Sequence, residues 1–268
     1  MTFPSDMNRF LLTPFFLDRP EPSLHRLARQ DWTLNRPSLP DSTVLSGLAA
    51  LGEAIAVFTE QSVRQGHRPV SIAGDCCAVI GVIAGLQRAG LQPHLVWLDA
   101  HGDFNTPDTS PSGFVGGMPL AMLVGRGEQM ILDCLGARPL DEPAVVLCDA
   151  RDLDPLEREA LVSSRVVHLA STERLDAFDF GSNPLHVHID ADILNPSDAP
   201  AMLYSAGGGP RATALEGTLR RLTARCRVVS VSLTTWALDR DPTGATEEAV
   251  WRVLQAAISD GEAPSSAG

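Results

Sequence analysis

Short runs of β-branched and aliphatic residues alternate along this chain with longer segments in which apolar residues recur at helical spacing. An alternation of strand and helix predicts parallel pairing, because each helix carries the chain back across the sheet before the next strand begins. Runs that are apolar at nearly every position also indicate strands that are buried on both faces. The sequence therefore predicts an α/β fold in which helices cover both faces of a central parallel sheet.

The predicted elements lie beyond residue 41. Residues 1–41 are rich in proline and arginine and show no clean period, so we expect an irregular lead-in that wraps around the domain. The predicted strands are Pro69–Ala73, His94–Leu98, Ala144–Cys148, Val166–Leu169, Leu185–Ile189 and Val228–Leu233. The predicted helices are Ser42–Arg64, Ala78–Arg88, Met118–Gly125, Pro155–Ser164, Thr213–Arg225 and Ala245–Ile258. No linker or repeat divides the chain, so we expect one domain over residues 1–268, with residues 262–268 as a flexible tail.

The charge of the chain limits its partners. It carries 33 acidic and 21 basic residues, a formal net charge of −12, which removes long-range attraction to nucleic acid or to an anionic membrane. No segment has the roughly 20 apolar residues that a membrane span needs, and the N-terminus lacks the order of a signal peptide. We therefore expect a cytoplasmic protein whose partner is a small molecule, with no nucleic acid and no membrane.

Polar side chains follow two of the predicted strands at the point where each strand ends. They are Asp99, His101 and Asp103 after the second strand, and Asp190 and Asp192 after the fifth. Alternate residues of an extended chain point to one side, and the carboxyl ends of parallel strands meet at one edge of the sheet. We therefore expect these side chains to converge. Taken singly, each cluster is equally compatible with a solvated loop or a helix cap.

Convergence of these groups predicts bound cations. Four carboxylates and an imidazole would repel one another severely unless cations lay between them. Oxygen donors with one imidazole suit Mn²⁺ or, less specifically, Mg²⁺, Fe²⁺ or Zn²⁺, and shared carboxylates favour two ions about 3.5–4 Å apart.

Four segments, two of which contain these residues, resemble, in order and spacing, the signature segments of the arginase (ureohydrolase) family, which includes agmatinases and formimidoylglutamases. They are Ala73-Gly-Asp-Cys-Cys77, Asp99-Ala-His-Gly-Asp103 with Asn105-Thr-Pro and Ser112-Gly, Arg151-Asp-Leu-Asp154, and Asp190-Ala-Asp192. The resemblance spans roughly residues 68–255. It implies a three-layer α/β/α fold around a parallel sheet of about eight strands and a site for two Mn²⁺ ions.

The resemblance also implies a role for each residue of this site. Asp99 and Asp190 would bridge the two Mn²⁺ ions. His101 and Asp192 would complete the coordination of one ion, and Asp103 would serve the other. A water activated between the ions would attack the central carbon of a guanidino-type group, and Asp103 would pass a proton to the departing amine.

The remaining ligand position, a histidine in most of the family, falls on Cys76. A thiolate binds divalent metals but is softer than an imidazole, so it should shift metal selectivity and loosen manganese. Alternatively, Cys76 is a buried, inert residue beside a half-empty site. The histidines interpreted as structural or surface residues are His25, His67, His94, His168, His186 and His188. His188, two positions before Asp190, would be the exception if any of them were.

Four further residues would hold the other end of the substrate, by the same resemblance. Asn105 and Ser112 would contact an α-carboxylate, and Asp154 and Glu157 an α-ammonium group. This pattern favours an amino-acid substrate over a decarboxylated amine such as agmatine. Asp154 equally fits a helix N-cap that is followed by Pro155 at the first helical position.

The chain departs from the family pattern at positions that bear on specificity. The family's S-G-N-x-H-G is Ser112-Gly-Phe-Val-Gly-Gly117 here, so Phe114 replaces an amide that touches the substrate and Gly116 replaces a proton-shuttling histidine. Near the end of the last predicted strand, Ser232, or alternatively Ser230, falls where a glutamate usually pairs with the guanidinium. Loss of that carboxylate would leave a buried cation unpaired, so we expect arginine to be a poor substrate.

An N-hydroxylated guanidine is less basic and brings a hydroxyl that Ser232 would hydrogen-bond. Together with Cys76, this resembles family members that hydrolyse Nω-hydroxy-L-arginine to L-ornithine and hydroxyurea in D-cycloserine biosynthesis. Two alternatives remain: an arginase or another amidinohydrolase, and a catalytically impaired homologue that binds a metal or an amino acid. The chain also lacks the C-terminal extension with which some arginases hold their trimers, so a monomer is expected.

Overall fold

A computed structural model describes residues 8–234 and 236–259. The strands are β1 (Asn8–Thr13), β2 (Phe15–Phe16), β3 (Arg19–Pro20), β4 (Thr33–Leu34), β5 (Arg68–Ala73), β6 (His94–His101), β7 (Val145–Asp152), β8 (Val167–Leu169), β9 (Leu185–Asp190) and β10 (Val228–Thr234). The α-helices are α1 (Val44–Arg64), α2 (Ala78–Arg88), α3 (Pro119–Leu123), α4 (Met130–Leu135), α5 (Pro155–Val162), α6 (Ala212–Arg225) and α7 (Ala245–Ile258). The predicted tail, residues 262–268, lies outside the described residues.

Eight strands form one sheet in the order β4-β1-β5-β10-β9-β6-β7-β8, and β2 and β3 pair separately. Every pair of neighbours in the large sheet is parallel, as the alternation of elements predicts. The last two strands of the chain, β9 and β10, lie between β5 and β6, so the strand order reverses at the centre of the sheet. A sheet of this kind binds ligands in the crevice at the carboxyl ends of its strands, near such a reversal.

The helices form a layer on each face of this sheet. Apolar residues of α1, α2, α3 and α4 share one buried cluster with the side chains on one face, and those of α6 and α7 share a second cluster with the opposite face. The predicted three-layer α/β/α architecture is thereby confirmed. None of the described helices is both long enough and apolar enough to cross a membrane.

The expectation of an irregular lead-in over residues 1–41 does not hold for Asn8–Thr13 and Thr33–Leu34, which are strands of the large sheet. β1 pairs with β5 along its whole length, from Asn8 opposite Arg68 to Thr13 opposite Ala73, and β4 extends the sheet beyond β1. These strands are hard to recognise in the sequence because they are short and are separated by proline and arginine residues. The N-terminal region therefore supplies one edge of the sheet.

Local signals explain where several elements begin and end. The side chain of Thr43 accepts a hydrogen bond from the backbone N of Ser46 and caps α1. Asp154 is the N-cap of α5, and Pro155 is the first residue of that helix, as the sequence predicts. β6 continues three residues past Leu98, so Asp99 is part of the strand rather than of the loop that follows.

Candidate metal centre and substrate cavity

The residues of the predicted metal site extend from neighbouring strands at the centre of the sheet. Alternate side chains of a strand share a face, so Asp99 follows Trp97 on one face of β6, and Asp190 follows His188 on the same face of β9. The register places Trp97 beside His188, and Thr234 of β10 beside Asp190. Trp97 and His188 therefore lie in one row across the central strands, and Asp190 and Thr234 lie in the next row.

One cluster of potential ligands consists of Asp99, His101 and Asp192, whose donor atoms all lie within 4.8 Å of one another. His101 Nδ1 is 3.1 Å from Asp192 Oδ2 and 3.5 Å from Asp99 Oδ1. Burial alone would lower the pKa of His101, but hydrogen bonds and charge from these carboxylates raise it to about 12. The cluster is therefore an environment that strongly favours positive charge.

A second cluster consists of Cys76, Asp99 and His188, again with donor atoms within 4.8 Å of one another. Cys76 Sγ donates to Asp190 Oδ2 at 2.9 Å and lies 3.1 Å from Thr234 Oγ1. Burial raises the pKa of the Cys76 thiol well above its ordinary value, and the neighbouring carboxylates, Asp190 first, raise it further. A thiol in this position ionises readily only if a cation takes the place of its proton.

Orphaned polar atoms support a fit to metal ions. Asp103 Oδ2 and His188 Nε2 are buried and make no hydrogen bond within the part of the chain that the structure describes. Burial and the charge of Asp99 raise the pKa of Asp103 well above its ordinary value, and the same two causes raise that of Asp192 to about 6. Carboxylates, imidazoles and a thiol that crowd together in this way suit divalent cations, which would offset their repulsion.

The loop that carries Asp103 is held tightly against α5. Asp103 has a positive φ of 48°, and a Cβ at Gly102 would lie 2.5 Å from Leu153 Cδ2 and 2.6 Å from Glu157 Oε1. The same Glu157 oxygen accepts a hydrogen bond from the backbone N of Phe104 at 2.8 Å. Glycine at position 102 therefore allows the close approach that fixes the position of Asp103.

Arg151 holds the turn that carries Asp192. Its guanidinium donates to Asp149 Oδ2 at 2.6 Å, to the backbone O of Asp192 at 3.1 Å, and to the backbone O of Ile193 and of Ala206 at 3.2 Å each. One planar side chain thus joins β7, the turn after β9 and the loop that precedes α6.

A cavity of about 220 Å³ opens above the two clusters. The predicted site residues that line it are Cys76, His101, Asp103, Asn105, Ser112, Phe114, Asp154, Glu157, Asp190 and Asp192. Asp99 is 1% exposed and lies beneath the cavity, in contact with His101. The structure therefore brings the predicted metal ligands and the predicted substrate-binding residues to one place.

Ser232 lies elsewhere. It is 1% exposed and is not among the residues that line the cavity, and its Oγ lies 2.9 Å from His188 Nδ1 and 3.0 Å from His186 Nε2. Ser230 is deeper still, with its Oγ 2.7 Å from His186 Nδ1. Neither serine reaches the cavity, so neither makes the expected contact with the guanidino end of a substrate. The residue at the end of β10, beside Asp190, is Thr234.

The residues predicted to hold an amino acid are linked to one another. Asn105 Nδ2 donates to Asp154 Oδ2 at 3.0 Å, and Thr109 Oγ1 donates to Asn105 Oδ1 at 3.0 Å. Glu157 Oε2 accepts from the backbone N of Asp154 at 3.2 Å. Ser112 Oγ accepts a backbone hydrogen bond at 3.2 Å and lines the same cavity. These side chains are thus positioned before any ligand arrives.

Three aromatic rings from distant parts of the chain line the mouth of the cavity. The centroid of the Phe114 ring lies 6.3 Å from that of the Phe16 ring and 5.7 Å from that of the Tyr204 ring. Sequence reasoning missed Phe16 and Tyr204, because nothing in their local sequence shows that they meet Phe114. It grouped His188 with the structural histidines but named it as the possible exception, and its place two residues before Asp190 on a strand gives the two side chains a shared face. Burial lowers the pKa of His188 to about 3, so its ring is neutral.

Comparisons with known proteins agree on one family. The model of the Arginase family matches residues 31–259. The arginase of Bacillus subtilis is 31% identical over 194 residues, which are 67% of this chain and 66% of that protein. The arginase of Bacillus caldovelox is 31% identical over 179 residues, which are 62% of this chain and 60% of that protein. The chain thus spans about three fifths to two thirds of the length of these relatives.

Solved structures show the same fold over almost the whole chain. A crystal structure of the Bacillus subtilis arginase superposes with a TM-score of 0.78 at 22% identity and covers 96% of this chain and 99% of that one. The Entamoeba histolytica arginase in complex with L-ornithine gives a TM-score of 0.79 at 17% identity, with coverage of 97% and 99%.

Proposed function

The chain belongs to the arginase family, and we propose that it is a metal-dependent ureohydrolase that cleaves a C–N bond in the guanidino-type group of an amino acid. One observation carries this proposal. Two clusters of potential metal ligands share Asp99 beneath a single cavity, and the side chains suited to hold an amino acid line the same cavity. A shared carboxylate is typical of a site for two ions.

The proposed ligands divide between two Mn²⁺ ions. Asp99 and Asp190 would be shared, His101 and Asp192 would hold one ion, and Cys76 and Asp103 the other. Oxygen donors with imidazole suit Mn²⁺, whereas the thiol of Cys76 makes the second position softer. Divalent ions at this site would supply Lewis acidity, which makes a water molecule nucleophilic at neutral pH.

Asp103 would transfer the proton from the attacking water to the departing amine, and its neighbours would hold it in position. Asp103 lines the cavity and has two carboxylate oxygens, so one can bind the ion while the other accepts a proton from the attacking water. The same carboxyl group would then protonate the departing amine nitrogen. Contacts of Gly102 and Phe104 with Glu157 keep Asp103 in position during both steps.

The charge of the cavity supports an amino-acid substrate. His101 is the one histidine, and arginine is absent, among the described residues that line it, whereas Asp152, Asp154 and Glu157 also line it and belong to neither cluster. An α-ammonium group would be attracted to these carboxylates. The α-carboxylate would be held by neutral donors, the Asn105 amide and the Ser112 hydroxyl.

Within this class we propose Nω-hydroxy-L-arginine as the preferred substrate, with L-ornithine and hydroxyurea as products. Thr234, at the end of β10, is buried with its hydroxyl 3.1 Å from Cys76 Sγ and in register with Asp190, and Cys76 and Asp190 both line the cavity. A hydroxyl does not compensate the charge of a guanidinium, whereas it suits a hydroxyguanidine, which is less basic. This reaction would place the protein in a route such as D-cycloserine biosynthesis.

L-Arginine itself is the second candidate, because the similar curated proteins are arginases. The two candidates are separated by offering purified, manganese-loaded protein both substrates and agmatine, and by quantifying ornithine, urea and hydroxyurea. We expect hydroxyurea and ornithine from the hydroxylated substrate at a kcat/KM well above that for arginine. A higher kcat/KM for arginine would make the protein an arginase, and failure with every substrate would contradict the proposed activity.

A further inference from the structure

His188 occupies a singular place in this site. Its ring is fully buried and packs against Trp97, with 4.1 Å between the ring centroids. His188 Nε2 makes no hydrogen bond within the described residues, yet the histidine forms a cluster with Cys76 Sγ and an Asp99 oxygen. A buried nitrogen without a hydrogen bond is costly, unless another kind of partner satisfies its lone pair.

We propose that His188 is a metal ligand through Nε2, and that it supplies the imidazole that Cys76 does not provide. The inference rests on the metal-dependent function proposed above. With His188 included, each of the two clusters contains one imidazole and the shared carboxylate of Asp99, and the second cluster adds a thiol. The ion beside Cys76 is then held by a mixed sulfur, nitrogen and oxygen set.

The hydrogen bonds beneath the site support this role. Ser230 Oγ lies 2.7 Å from His186 Nδ1, His186 Nε2 lies 3.0 Å from Ser232 Oγ, and Ser232 Oγ lies 2.9 Å from His188 Nδ1. If His188 Nδ1 donates to Ser232, Ser232 can donate to His186 Nε2, and His186 Nδ1 can donate to Ser230. This orientation satisfies every link and leaves His188 Nε2 unprotonated, with its lone pair available to an ion that Cys76 and Asp99 would hold.

The opposite orientation of the same chain is the competing arrangement. Ser230 would then donate to His186, His186 to Ser232 and Ser232 to His188, which puts a proton on His188 Nε2. In that case His188 would donate a hydrogen bond to the sulfur of Cys76 and would not bind the metal. The ligand arrangement is favoured because a histidine that binds a metal commonly donates its other ring N–H to an oxygen, as His188 Nδ1 can to Ser232.

Trp97 contacts both His188 and Asp99, the two residues that would bind the same ion. Its indole Nε1 donates to Asp99 Oδ2 at 3.0 Å, while its ring packs against His188. The strand register also places Trp97 directly beside His188. The imidazole and the shared carboxylate are therefore fixed relative to each other by one rigid side chain.

The test compares two substitutions of buried histidines on the same strand. His188→Asn keeps a polar atom near the Nδ1 position, where it can still bond Ser232, but removes Nε2. His186→Asn is the matched control, because His186 is equally buried on the same face but belongs to neither cluster of potential ligands, and Ser232 can still accept a hydrogen bond from His188 Nδ1 when His186 is replaced. Metal-free protein is titrated with Mn²⁺ by equilibrium dialysis, and with Co²⁺ while the thiolate-to-cobalt absorption is recorded.

We expect His188→Asn to weaken one of the two sites by at least about tenfold and to alter the cobalt absorption, with His186→Asn close to the wild type. Wild-type affinity at both sites of a folded His188→Asn protein would overturn the inference and leave the proposed function standing. If the wild type binds neither metal, the metal-dependent function itself fails.

A crystal structure of the wild-type protein loaded with manganese decides the matter if His188→Asn does not fold. A bond between His188 Nε2 and the ion beside Cys76 supports the inference. His188 Nε2 hydrogen-bonded to Cys76 Sγ, with no bond to the ion, overturns it.

Discussion

The ring of Phe114 lies where a side chain of residue 116 would begin: a Cβ on Gly116 would be 2.5 Å from Cε1 and Cζ of that ring. The two positions therefore depend on each other, because any side chain at 116 would require the Phe114 ring to move. The departures from the family pattern at these positions are thus one coupled change. It replaces polar groups at the mouth of the cavity with an aromatic ring that lies near Phe16 and Tyr204.

This coupling predicts a non-additive effect on substrate binding. Gly116→Ala should displace the Phe114 ring and raise KM by roughly threefold to tenfold, with little change in bound metal. Phe114→Ala should create the missing space, so Gly116→Ala should raise KM little further when it is added to Phe114→Ala. Steady-state kinetics of the single and double variants give the comparison. Additive penalties, or an unchanged KM for Gly116→Ala, would argue against the coupling.

Manganese should stabilise the fold, because it offsets the repulsion among the buried carboxylates. At about 100 times its Kd, a ligand of the native state adds about 2.7 kcal/mol, which corresponds to an increase in Tm of roughly 5–10 °C. Calorimetry with and without a chelator measures this change. Asp190→Asn removes one of the proposed ligands and should show a smaller increase. A Tm that does not respond to manganese would mean that these carboxylates hold no ion.

Arg151→Lys should weaken metal binding without unfolding the protein. Lysine cannot reproduce the planar set of hydrogen bonds by which Arg151 holds the backbone of Asp192 and Ile193. We expect roughly a tenfold loss of manganese affinity, the size that is typical for residues that orient a ligand. Arg165→Lys is the control, because the side chain of Arg165 is 75% exposed and its ion pair is long. Equal affinities for both variants would remove the positioning role of Arg151.

Ser232→Glu should destabilise the protein rather than create arginase activity. Ser232 lies beneath the cavity, and its hydroxyl contacts both His186 and His188. A glutamate at this position would bury a carboxylate among these side chains, which is costly. We expect a loss of several kcal/mol of unfolding free energy in urea, against about 1–2 kcal/mol for Ser232→Ala. A stable Ser232→Glu protein that hydrolyses arginine would show that residue 232 does reach the substrate.

The sequence predicts the central part of this molecule better than its edges. The apolar runs that become β5, β6, β9 and β10 are strong signals because these strands are buried on both faces. Asp99 and Asp190 follow from the same pattern, since each stands at the end of such a run. β1 and β4 escape prediction because they are short and owe their pairing to the strands beside them.

Sequence spacing predicts poorly how deep each side chain lies within the site. An offset of two residues along β10 decides whether Thr234 or Ser232 lies beside Cys76, and both have hydroxyl side chains. His188 presents the same difficulty, because a histidine on an apolar strand is usually a structural residue. The meeting of Phe16, Phe114 and Tyr204 depends on loops that are far apart in the chain.

Metal dependence is tested by the rate of ornithine release from Nω-hydroxy-L-arginine as Mn²⁺ is added stepwise to metal-free protein, with bound metal measured in the same samples. We predict no product without metal and an activity that reaches its plateau at two bound ions per chain. Ornithine release that is the same with and without bound metal would rule out metal-dependent hydrolysis, and metal-loaded protein that releases no ornithine would rule out this substrate.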